Sequence, residues 1–245
     1  MTSGPEVSPR AAAVSAHRGG SEAAPGGTYD AYRHAAGTGA EYVEFDVRRT
    51  MDGELVDYHD EQAASGQAVA SLGYSRLCRL AGYEVPRVAD VMRLIAGRAI
   101  GHVDLKETGE GALAAVELAL DLLGAGNFVA TTPADASVAA IRTRYPQASA
   151  ALTVRATPAG PGERPGRPLE RIRACRADWA AVDHRAASPA LLAELRGAGI
   201  RVLVWTINGD AELTRWLAEP GVDVVVTDQP GRAITLRDRQ RPSAG

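Results

Sequence analysis

Short apolar runs alternate along this chain with longer segments in which apolar residues recur every three or four positions. A short run rich in β-branched residues is typical of a buried strand, and the longer spacing is typical of a helix that packs on one face. The pattern predicts strands at 11–17, 42–47, 54–58, 99–105, 128–131, 149–154, 179–183, 201–206 and 222–227. It predicts helices at 29–38, 88–96, 111–123, 135–144, 168–176, 189–197, 210–218 and 230–237.

The order of these elements indicates how the strands pair. Strand alternates with helix over the whole length, and parallel neighbours need a crossover of about a dozen residues or more. The gap between 47 and 54 reads RRTMDG, which is too short for a crossover but suits a hairpin with Asp52 and Gly53 at positive φ. Segment 54–58 is therefore predicted to return antiparallel, which leaves eight strand–helix units.

We predict an α/β fold, a (β/α)8 TIM barrel with a β-hairpin insertion after strand 2. One such barrel commonly takes about 250 residues, and this chain has 245. An open doubly wound sheet is less favoured because no GxGxxG motif follows a strand. We expect a single domain over 11–237, flexible tails at 1–10 and 238–245, and a loop in the Pro/Gly-rich segment 157–168.

Composition and charge narrow the class of protein. The chain is 45% apolar and 23% charged, as ordinary soluble domains are, and its net charge of −3 gives no reason to expect a nucleic acid partner. No segment resembles a signal peptide, and no apolar run reaches the ~20 residues of a spanning helix. We therefore expect a cytoplasmic protein without stable membrane insertion, and the oligomeric state stays open. Cys78 and Cys175 lack metal-ligand spacing and are expected to be buried thiols.

A single lysine, Lys106, stands among 27 basic residues, and the other 26 are arginine. A bias this strong indicates that arginine serves wherever the two residues are interchangeable. An ammonium group is a compact point charge whereas a guanidinium is a broad planar fork, so a tight site accepts one and excludes the other. We interpret Lys106 as part of such a site.

Reactive side chains collect where the predicted strands end, which in a TIM barrel is the active face. Glu44 and Asp46 are two residues apart on one strand, so their side chains leave the same face, and Asp104 repeats this relation with Lys106. Converging carboxylates repel one another unless a cation lies between them, and a hard divalent ion, Mg²⁺ or Ca²⁺, suits all-oxygen ligands. The candidates at this face are His17, Arg18, Glu44, Asp46, His59, Asp104, Lys106, Trp205 and Asn208.

Several motifs, taken in chain order, resemble one enzyme family. They are HRG at 17–19, VEFDVRRTMDGELVDYHD at 43–60, VDLK at 103–106, WTIN at 205–208 and GVDVVVTDQP at 221–230. Together they resemble the glycerophosphodiester phosphodiesterase family from about residue 14 to 232, with a relation to the spider-venom type of phospholipase D. The resemblance implies a TIM barrel that cleaves phosphodiesters with one divalent metal and two histidines.

The resemblance also implies roles for individual residues. Asp104 stands where this family usually has Glu and where the spider-venom type enzymes have Asp. Trp205 lies at the end of the predicted strand 201–206, a place that favours an apolar wall for the substrate. The expected set is His17 and His59 as acid and base, Arg18, Lys106, Trp205 and Asn208 as substrate contacts, and Glu44, Asp46 and Asp104 as metal ligands.

One departure from the family pattern lies at Gly26 and Gly27. Family members usually read Pro-Glu-Asn-Thr where this chain reads Pro25-Gly26-Gly27-Thr28. The change removes a carboxylate and leaves space and backbone freedom beside the predicted metal. Three interpretations stay open: a site widened for a headgroup other than glycerol, a carboxylate supplied by Glu22 from the same loop, or impaired activity.

The sequence therefore predicts a phosphoric diester hydrolase with a small-molecule substrate. We expect metal-dependent cleavage of a glycerophosphodiester-like substrate to an alcohol and a phosphomonoester by histidine acid–base catalysis. Attack by water and attack by a hydroxyl of the substrate, which gives a cyclic phosphate, both stay open. The alternatives are a phospholipase D-like or other phosphate or diphosphate ester lyase with a non-glycerol substrate and, in another class, a catalytically silent phospholigand-binding barrel.

Overall fold

A computed structural model of the chain describes residues 11–156 and 167–240. Within these ranges strands and helices alternate in the predicted order. The strands are β1 (Ala13–Ala16), β2 (Tyr42–Arg49), β3 (Leu55–Asp57), β4 (Ile100–Leu105), β5 (Phe128–Thr132), β6 (Ser149–Val154), β7 (Trp179–Asp183), β8 (Arg201–Trp205) and β9 (Val224–Thr227). The helices are α1 (Tyr29–Thr38), α2 (Tyr74–Ala81), α3 (Val88–Ile95), α4 (Gly109–Leu122), α5 (Asp135–Arg144), α6 (Pro168–Cys175), α7 (Pro189–Gly197), α8 (Asp210–Leu217) and α9 (Pro230–Gln240).

Eight of the described strands form a closed parallel barrel. Around the ring the order is β1, β2, β4, β5, β6, β7, β8 and β9, and β9 pairs with β1 to close it. β3 pairs antiparallel with β2, with Asp57 opposite Val47, and stands outside the ring. The prediction of a (β/α)8 TIM barrel with a β-hairpin after strand 2 is confirmed.

The hairpin turn after β2 differs in one detail from the prediction. Gly53 has a φ of 90°, and its amide donates to the carbonyl oxygen of Thr50 at 3.0 Å, so this position favours glycine. Asp52 does not adopt the predicted positive φ. Its carboxylate instead accepts hydrogen bonds from the Thr50 hydroxyl at 2.6 Å and the Tyr74 amide at 3.0 Å. Asp52 thus ties the turn to the start of α2.

The excursion between β3 and α3 contains a helix, α2, that the sequence pattern did not predict. α2 has eight residues and packs on an apolar cluster separate from the main core. This cluster is formed by Val56, Ala63, Val69, Leu72, Leu77 and Val85. Because His59 lies two residues after the end of β3, at the start of this excursion, the cluster anchors the loop that presents this histidine.

Apolar side chains fill the N-terminal half of the barrel interior. Tyr42 and Trp179 meet edge to face there, with ring centroids 6.3 Å apart. Farther along β2 the inward side chains after Tyr42 are Glu44 and Asp46, both buried. The change from an apolar to a polar layer places the chemistry at the C-terminal ends of the strands. The apolar interior layer contains Tyr42, Val129, Ala151, Trp179, Ala181, Leu203, Val224 and Val226.

The structure shows where the last helix ends and which of the predicted tail and loop residues it describes. α9 continues to Gln240, three residues beyond the helix predicted at 230–237, and the predicted domain and tail limits stay predictions. Residues 1–10 and 241–245 and most of the predicted loop 157–168 lie outside the described residues.

Cys175 is buried as predicted, whereas Cys78 is half-buried, and both are free thiols. No helix within the described ranges has the length and apolarity to cross a bilayer.

Candidate active site

An open cavity lies at the C-terminal ends of the barrel strands. It encloses about 720 Å³ of empty space, including its mouth. Of the residues that the sequence singled out, all except Asn208 line it. The lining residues are His17, Arg18, Glu44, Asp46, His59, His102, Asp104, Lys106, Thr131, Thr153, Arg155, Ala181, Trp205, Thr206 and Val226.

Three carboxylates on two neighbouring strands converge in this cavity. The register of β2 with β4 sets Asp46 beside Asp104, and Glu44 lies two residues earlier on β2. One oxygen from each of these side chains lies within 4.8 Å of the other two. Asp46 Oδ2 is also buried without a hydrogen bond. This spacing and the all-oxygen donor set fit a hard divalent cation held between the three side chains.

Glu44 is almost fully buried, and its electrostatics favour a bound cation. Burial, followed by the nearness of Asp46 and Asp104, raises the pKa of Glu44 well above its ordinary value. Its Oε2 accepts a hydrogen bond from the Arg18 amide at 2.7 Å. A cation shared by the three carboxylates would remove the repulsion that raises this pKa.

Lys106 lies among the same carboxylates. Its Nζ is 2.9 Å from Asp46 Oδ1 and 2.5 Å from Asp104 Oδ2, and only 16% of its side chain is exposed. Burial lowers the pKa of a lysine, but the two carboxylates outweigh this effect and raise the pKa of Lys106. Burial likewise opposes ionisation of Asp104, but Lys106 outweighs it and lowers the pKa of Asp104 to about 2. Lys106 is thus a permanent cation beside the candidate metal ligands.

The HRG segment turns sharply after β1. Arg18 has φ 50° and ψ 37°, a left-handed conformation that is uncommon for a non-glycine residue. The turn directs its amide to Glu44 and sets its Nε 3.1 Å from Asp46 Oδ2. Gly19 follows with φ 77°, and a Cβ there would lie 2.9 Å from the Ala31 carbonyl carbon, so glycine allows α1 to pack on the turn. The strained turn couples Arg18 to both β2 carboxylates.

His17 is oriented by Asp228, a carboxylate without a role in the sequence prediction. His17 Nδ1 is 2.6 Å from Asp228 Oδ1, and its Nε2 is 4.0 Å from Glu44 Oε2. The hydrogen bond with His17 lowers the pKa of Asp228. An ionised Asp228 favours the tautomer with the proton on Nδ1, which leaves Nε2 to exchange protons. Asp228 directly follows β9, so the rule that points to strand ends would have found it.

Asn208 does not line the cavity, although the sequence predicts a substrate contact. Its Nδ2 donates to Asp228 Oδ2 at 2.6 Å, and its Oδ1 accepts from the Asp228 amide at 3.0 Å. Both ends of the amide group are therefore engaged with the residue that holds His17. Asn208 therefore positions Asp228, and its role as a substrate contact stays a prediction.

His59 lies on the rim of the cavity, where the chain leaves β3. Its side chain is 45% exposed, and its Nδ1 is 2.7 Å from Asp60 Oδ1. Arg48 Nη2 donates to the His59 carbonyl oxygen at 2.9 Å and so holds this loop against β2. His17 and His59 thus reach one cavity from two different elements.

Trp205 forms part of the opposite wall, at the end of β8. It is half-buried and lines the cavity, as an apolar wall for a substrate would. The guanidinium carbon of Arg155 lies 5.9 Å from the centre of a Trp205 ring. The peptide bond between Trp205 and Thr206 is cis.

The Gly26–Gly27 segment folds back onto Arg18. Gly27 has a φ of 74°, and its amide donates to the Arg18 carbonyl oxygen at 2.8 Å. Glu22, weighed above as a substitute carboxylate, accepts hydrogen bonds from the first two amides of α9, at 2.8 and 2.9 Å. A carboxylate at a helix N-terminus stabilises the helix. Glu22 therefore does not replace the missing carboxylate at the metal site.

A buried carboxylate that the sequence did not single out, Asp57 of β3, lies beside Gly27. A Cβ at Gly27 would lie 3.4 Å from Asp57 Oδ2. Asp57 Oδ2 accepts a hydrogen bond from the Tyr32 hydroxyl at 2.7 Å, and Oδ1 accepts one from the Asp46 amide at 2.9 Å. Burial, followed by the nearness of Asp46, raises the pKa of Asp57 to about 7. Asp57 thus holds the backbone of Asp46 in place through the hydrogen bond from the Asp46 amide.

The substitution Asp57→Asn is expected to change how stability depends on pH. A carboxyl group with a pKa of 3.8 when unfolded and about 7 when folded stabilises the protein while protonated, and this contribution is lost as the pH rises between these values. The loss can reach about 4 kcal/mol, at 1.36 kcal/mol per pKa unit. The free energy of unfolding of the variant, relative to wild type, should therefore rise over this pH range. Urea unfolding of both metal-free proteins measures the difference, and a pH-independent difference would show that Asp57 ionises normally.

Comparison with known proteins agrees with this geometry. The glycerophosphoryl diester phosphodiesterase family matches residues 17–232. No significant match exists among curated proteins. The chain is similar in fold to several solved structures.

A Silicibacter pomeroyi protein assigned as a glycerophosphoryl diester phosphodiesterase is 22% identical, with a TM-score of 0.82 and 94% of each chain covered. An Oleispira antarctica phosphodiesterase, solved with the product sn-glycerol-3-phosphate, is 20% identical, with a TM-score of 0.76 and coverage of 93% of this chain and 97% of that chain. A Thermotoga maritima glycerophosphodiester phosphodiesterase is 22% identical, with a TM-score of 0.75 and coverage of 92% and 98%. At these identities the likeness shows a shared fold, whereas the family match spans every candidate residue at the cavity. The chain therefore belongs to the glycerophosphoryl diester phosphodiesterase family, whose members are phosphoric diester hydrolases.

Proposed function

We propose that this chain is a metal-dependent phosphodiesterase that cleaves a glycerophosphodiester-like substrate to an alcohol and a phosphomonoester. The observation that carries the proposal is that one cavity brings together His17 and His59, the ion-paired cations Arg18 and Lys106, and a group of three carboxylates. The product complex of the Oleispira antarctica phosphodiesterase, which shares the fold, supports a small-molecule substrate.

Glu44, Asp46 and Asp104 would hold the metal, for which Mg²⁺ and Ca²⁺ are the candidates. When bound, such an ion stabilises the negative charge that develops on phosphate oxygens during displacement. Arg18 and Lys106 lie beside the same carboxylates and can donate charge-assisted hydrogen bonds to a phosphate in the cavity. These two residues therefore bind and orient the scissile phosphate.

His17 and His59 carry the proton transfers. Asp228 holds the proton of His17 on Nδ1, so Nε2 takes a proton from a nucleophile or, once protonated, gives one to a leaving group. His59 Nδ1 is engaged with Asp60, so its Nε2 is the atom that can act at the cavity rim. One histidine activates the attacking oxygen and the other protonates the leaving alkoxide. The same pair serves attack by water and attack by a substrate hydroxyl that gives a cyclic phosphate.

A second candidate is a phospholipase D-like or other lyase reaction on a non-glycerol phosphate or diphosphate ester. The groove beside Gly26 and Gly27, which Tyr58 and Tyr83 also line, favours this alternative because it leaves space for another headgroup. A silent phospholigand-binding barrel is opposed by the retention of both His17 and His59, since Asp228 orients His17 as a proton-transfer group would be oriented. The products formed from a panel of phosphodiesters separate the three functions.

Adding Mg²⁺ or Ca²⁺ to the metal-free protein is expected to raise its Tm. At 100 times its Kd, a ligand stabilises the folded state by about 2.7 kcal/mol, or roughly 5–10 °C for a chain of this size. Glu44→Gln keeps the shape but removes the charge of one ligand, so most of this shift should disappear. Glu110→Gln, an exposed position on α4, is the matched control and should keep the full shift. Equal shifts in both variants would place the metal elsewhere.

A further inference from the structure

Arg155 differs from the other cations of the active-site cavity in having no protein counterion among the described residues. Arg18 lies 3.1 Å from Asp46, and Lys106 contacts two carboxylates. Arg155 follows β6 and lines the cavity, yet it forms no ion pair with any carboxylate of residues 11–156 or 167–240. Among the residues that the structure describes, none therefore compensates its positive charge.

The Arg155 side chain is restrained by a neighbouring ring, but one of its hydrogen-bond donors has no acceptor. Its Nε is buried and has no hydrogen-bond partner, and a buried donor without an acceptor is costly. The Trp205 ring, 5.9 Å from the guanidinium carbon, restrains the group without accepting a hydrogen bond from Nε. The guanidinium is thus a donor whose acceptor is missing from the described protein.

Arg155 also stands away from the residues proposed to act on the scissile phosphate. Those residues come from β1, β2 and β4 and from the hairpin beside β2. Counted round the ring from β1, β6 is the fifth of eight strands, so Arg155 faces His17 and Arg18 across the barrel mouth. A substrate whose phosphate lies at β1 and β2 would meet Arg155 with a different part of its structure.

We propose that Arg155 binds a second anionic group of the substrate, a carboxylate or a phosphate, carried by the alcohol that is released. The planar guanidinium matches both oxyanions, because each offers two oxygens to its fork of donors. The preferred substrates are then phosphodiesters with an additional negative charge remote from the cleaved ester. This inference rests on the proposed phosphodiesterase function.

Matched pairs of diesters test the inference. Glycerophosphoserine differs from glycerophosphoethanolamine by one carboxylate, and glycerophosphoglycerol phosphate differs from glycerophosphoglycerol by one phosphate. Wild type should show a kcat/KM about 10- to 100-fold higher for the anionic member of at least one pair, as expected for a hydrogen-bonded charge pair. The pair that shows the preference identifies the anion as carboxylate or phosphate.

Variants at Arg155 locate the preference. Arg155→Gln should bring the ratio of kcat/KM within the preferred pair close to one, and Arg155→Lys should restore part of it. Arg98→Gln also removes one positive charge, from an exposed loop before β4, and should leave the ratio unchanged. A ratio near one in wild type, or a full ratio in Arg155→Gln, would overturn the proposal.

Binding separates failure of this inference from failure of the proposed function. Calorimetry with intact diesters on His17→Ala protein, with and without Arg155→Gln, measures the affinity ratio in the absence of turnover. If wild type cleaves none of the diesters but the affinity ratio still depends on Arg155, the phosphodiesterase function is wrong and the anion site stands. If cleavage is efficient but neither ratio depends on Arg155, the function stands and the anion site is wrong.

Discussion

Alanine at His17 should lower kcat for diester cleavage by about 10²–10⁴-fold, and alanine at His59 should lower it by a similar factor. Each substitution removes one proton-transfer group, while the carboxylates that would hold the metal stay in place. Because an acid and a base must have opposite protonation states, the kcat/KM of wild type should follow a bell-shaped pH profile. In each variant, one of the two declines of kcat/KM, at low or at high pH, should disappear.

His34→Ala is the matched control for the histidine variants. His34 is exposed on α1, outside the cavity, so its replacement should change neither kcat nor the pH profile. Metal-induced shifts in Tm should persist in all three variants, since neither cavity histidine is proposed as a ligand. Near-normal turnover in His17→Ala or His59→Ala would remove that residue from the proton-transfer scheme.

Lys106→Arg should lower kcat/KM by about 10²-fold, although it keeps the positive charge. The Lys106 ammonium fits between Asp46 and Asp104 at 2.9 and 2.5 Å, where a guanidinium is too broad. To fit, the arginine must displace Asp104 or the phosphate, and a misplacement of ~1 Å can cost about 10²-fold in rate. The prediction follows from our interpretation that shape is the reason for the lone lysine in a chain with 26 arginines.

Lys106→Met separates the effect of shape from that of charge. This variant removes the charge and leaves Asp46 and Asp104 facing each other, so it should lower activity at least as much as Lys106→Arg. Measurements of kcat/KM and Tm for wild type and both variants distinguish a damaged site from a damaged fold. If Lys106→Arg retains most of the activity that Lys106→Met loses, charge alone matters and the explanation from shape is wrong.

The barrel could be predicted because the lengths of the connections between strands allow few ways of pairing the strands. Only six residues separate the predicted strands 42–47 and 54–58, so the segment that forms β3 could not be a parallel neighbour of β2. α2 was missed because it is short and packs on its own small cluster instead of on the barrel. The turn at Asp52 was mispredicted because its side chain is recruited by Thr50 and Tyr74, a tertiary contact that turn propensities do not contain.

The site could be predicted where strand ends alone decide the geometry. Glu44, Asp46 and Asp104 come together because strand register places them at neighbouring heights in the barrel, and alternation along each strand reveals this. Asp57 gave no such signal, because its role depends on a hydroxyl from α1 and an amide from β2. Asn208 follows a strand end as expected, but the sequence did not reveal its hydrogen bonds with Asp228, which depend on the neighbouring strand β9.

At Gly26 and Gly27 the sequence alone does not reveal which groups surround the candidate metal site. The sequence indicates that a carboxylate is missing from the loop after β1, but not what takes its place. In the structure Glu22 is engaged with α9, whereas buried Asp57 lies next to Gly27. The acidic character beside Asp46 therefore comes from the hairpin, which only the three-dimensional arrangement reveals.

Phosphorus NMR of phosphodiesters incubated with the purified protein tests the central claim most directly. With Mg²⁺ or Ca²⁺ present, the diester resonance of at least one glycerophosphodiester should give way to that of a phosphomonoester, either directly or through a cyclic phosphate. After exhaustive chelation the diester should persist, and addition of the ion should restore its conversion. Conversion that continues after chelation, or a diester signal unchanged across the whole panel with either ion present, would contradict a metal-dependent phosphodiesterase.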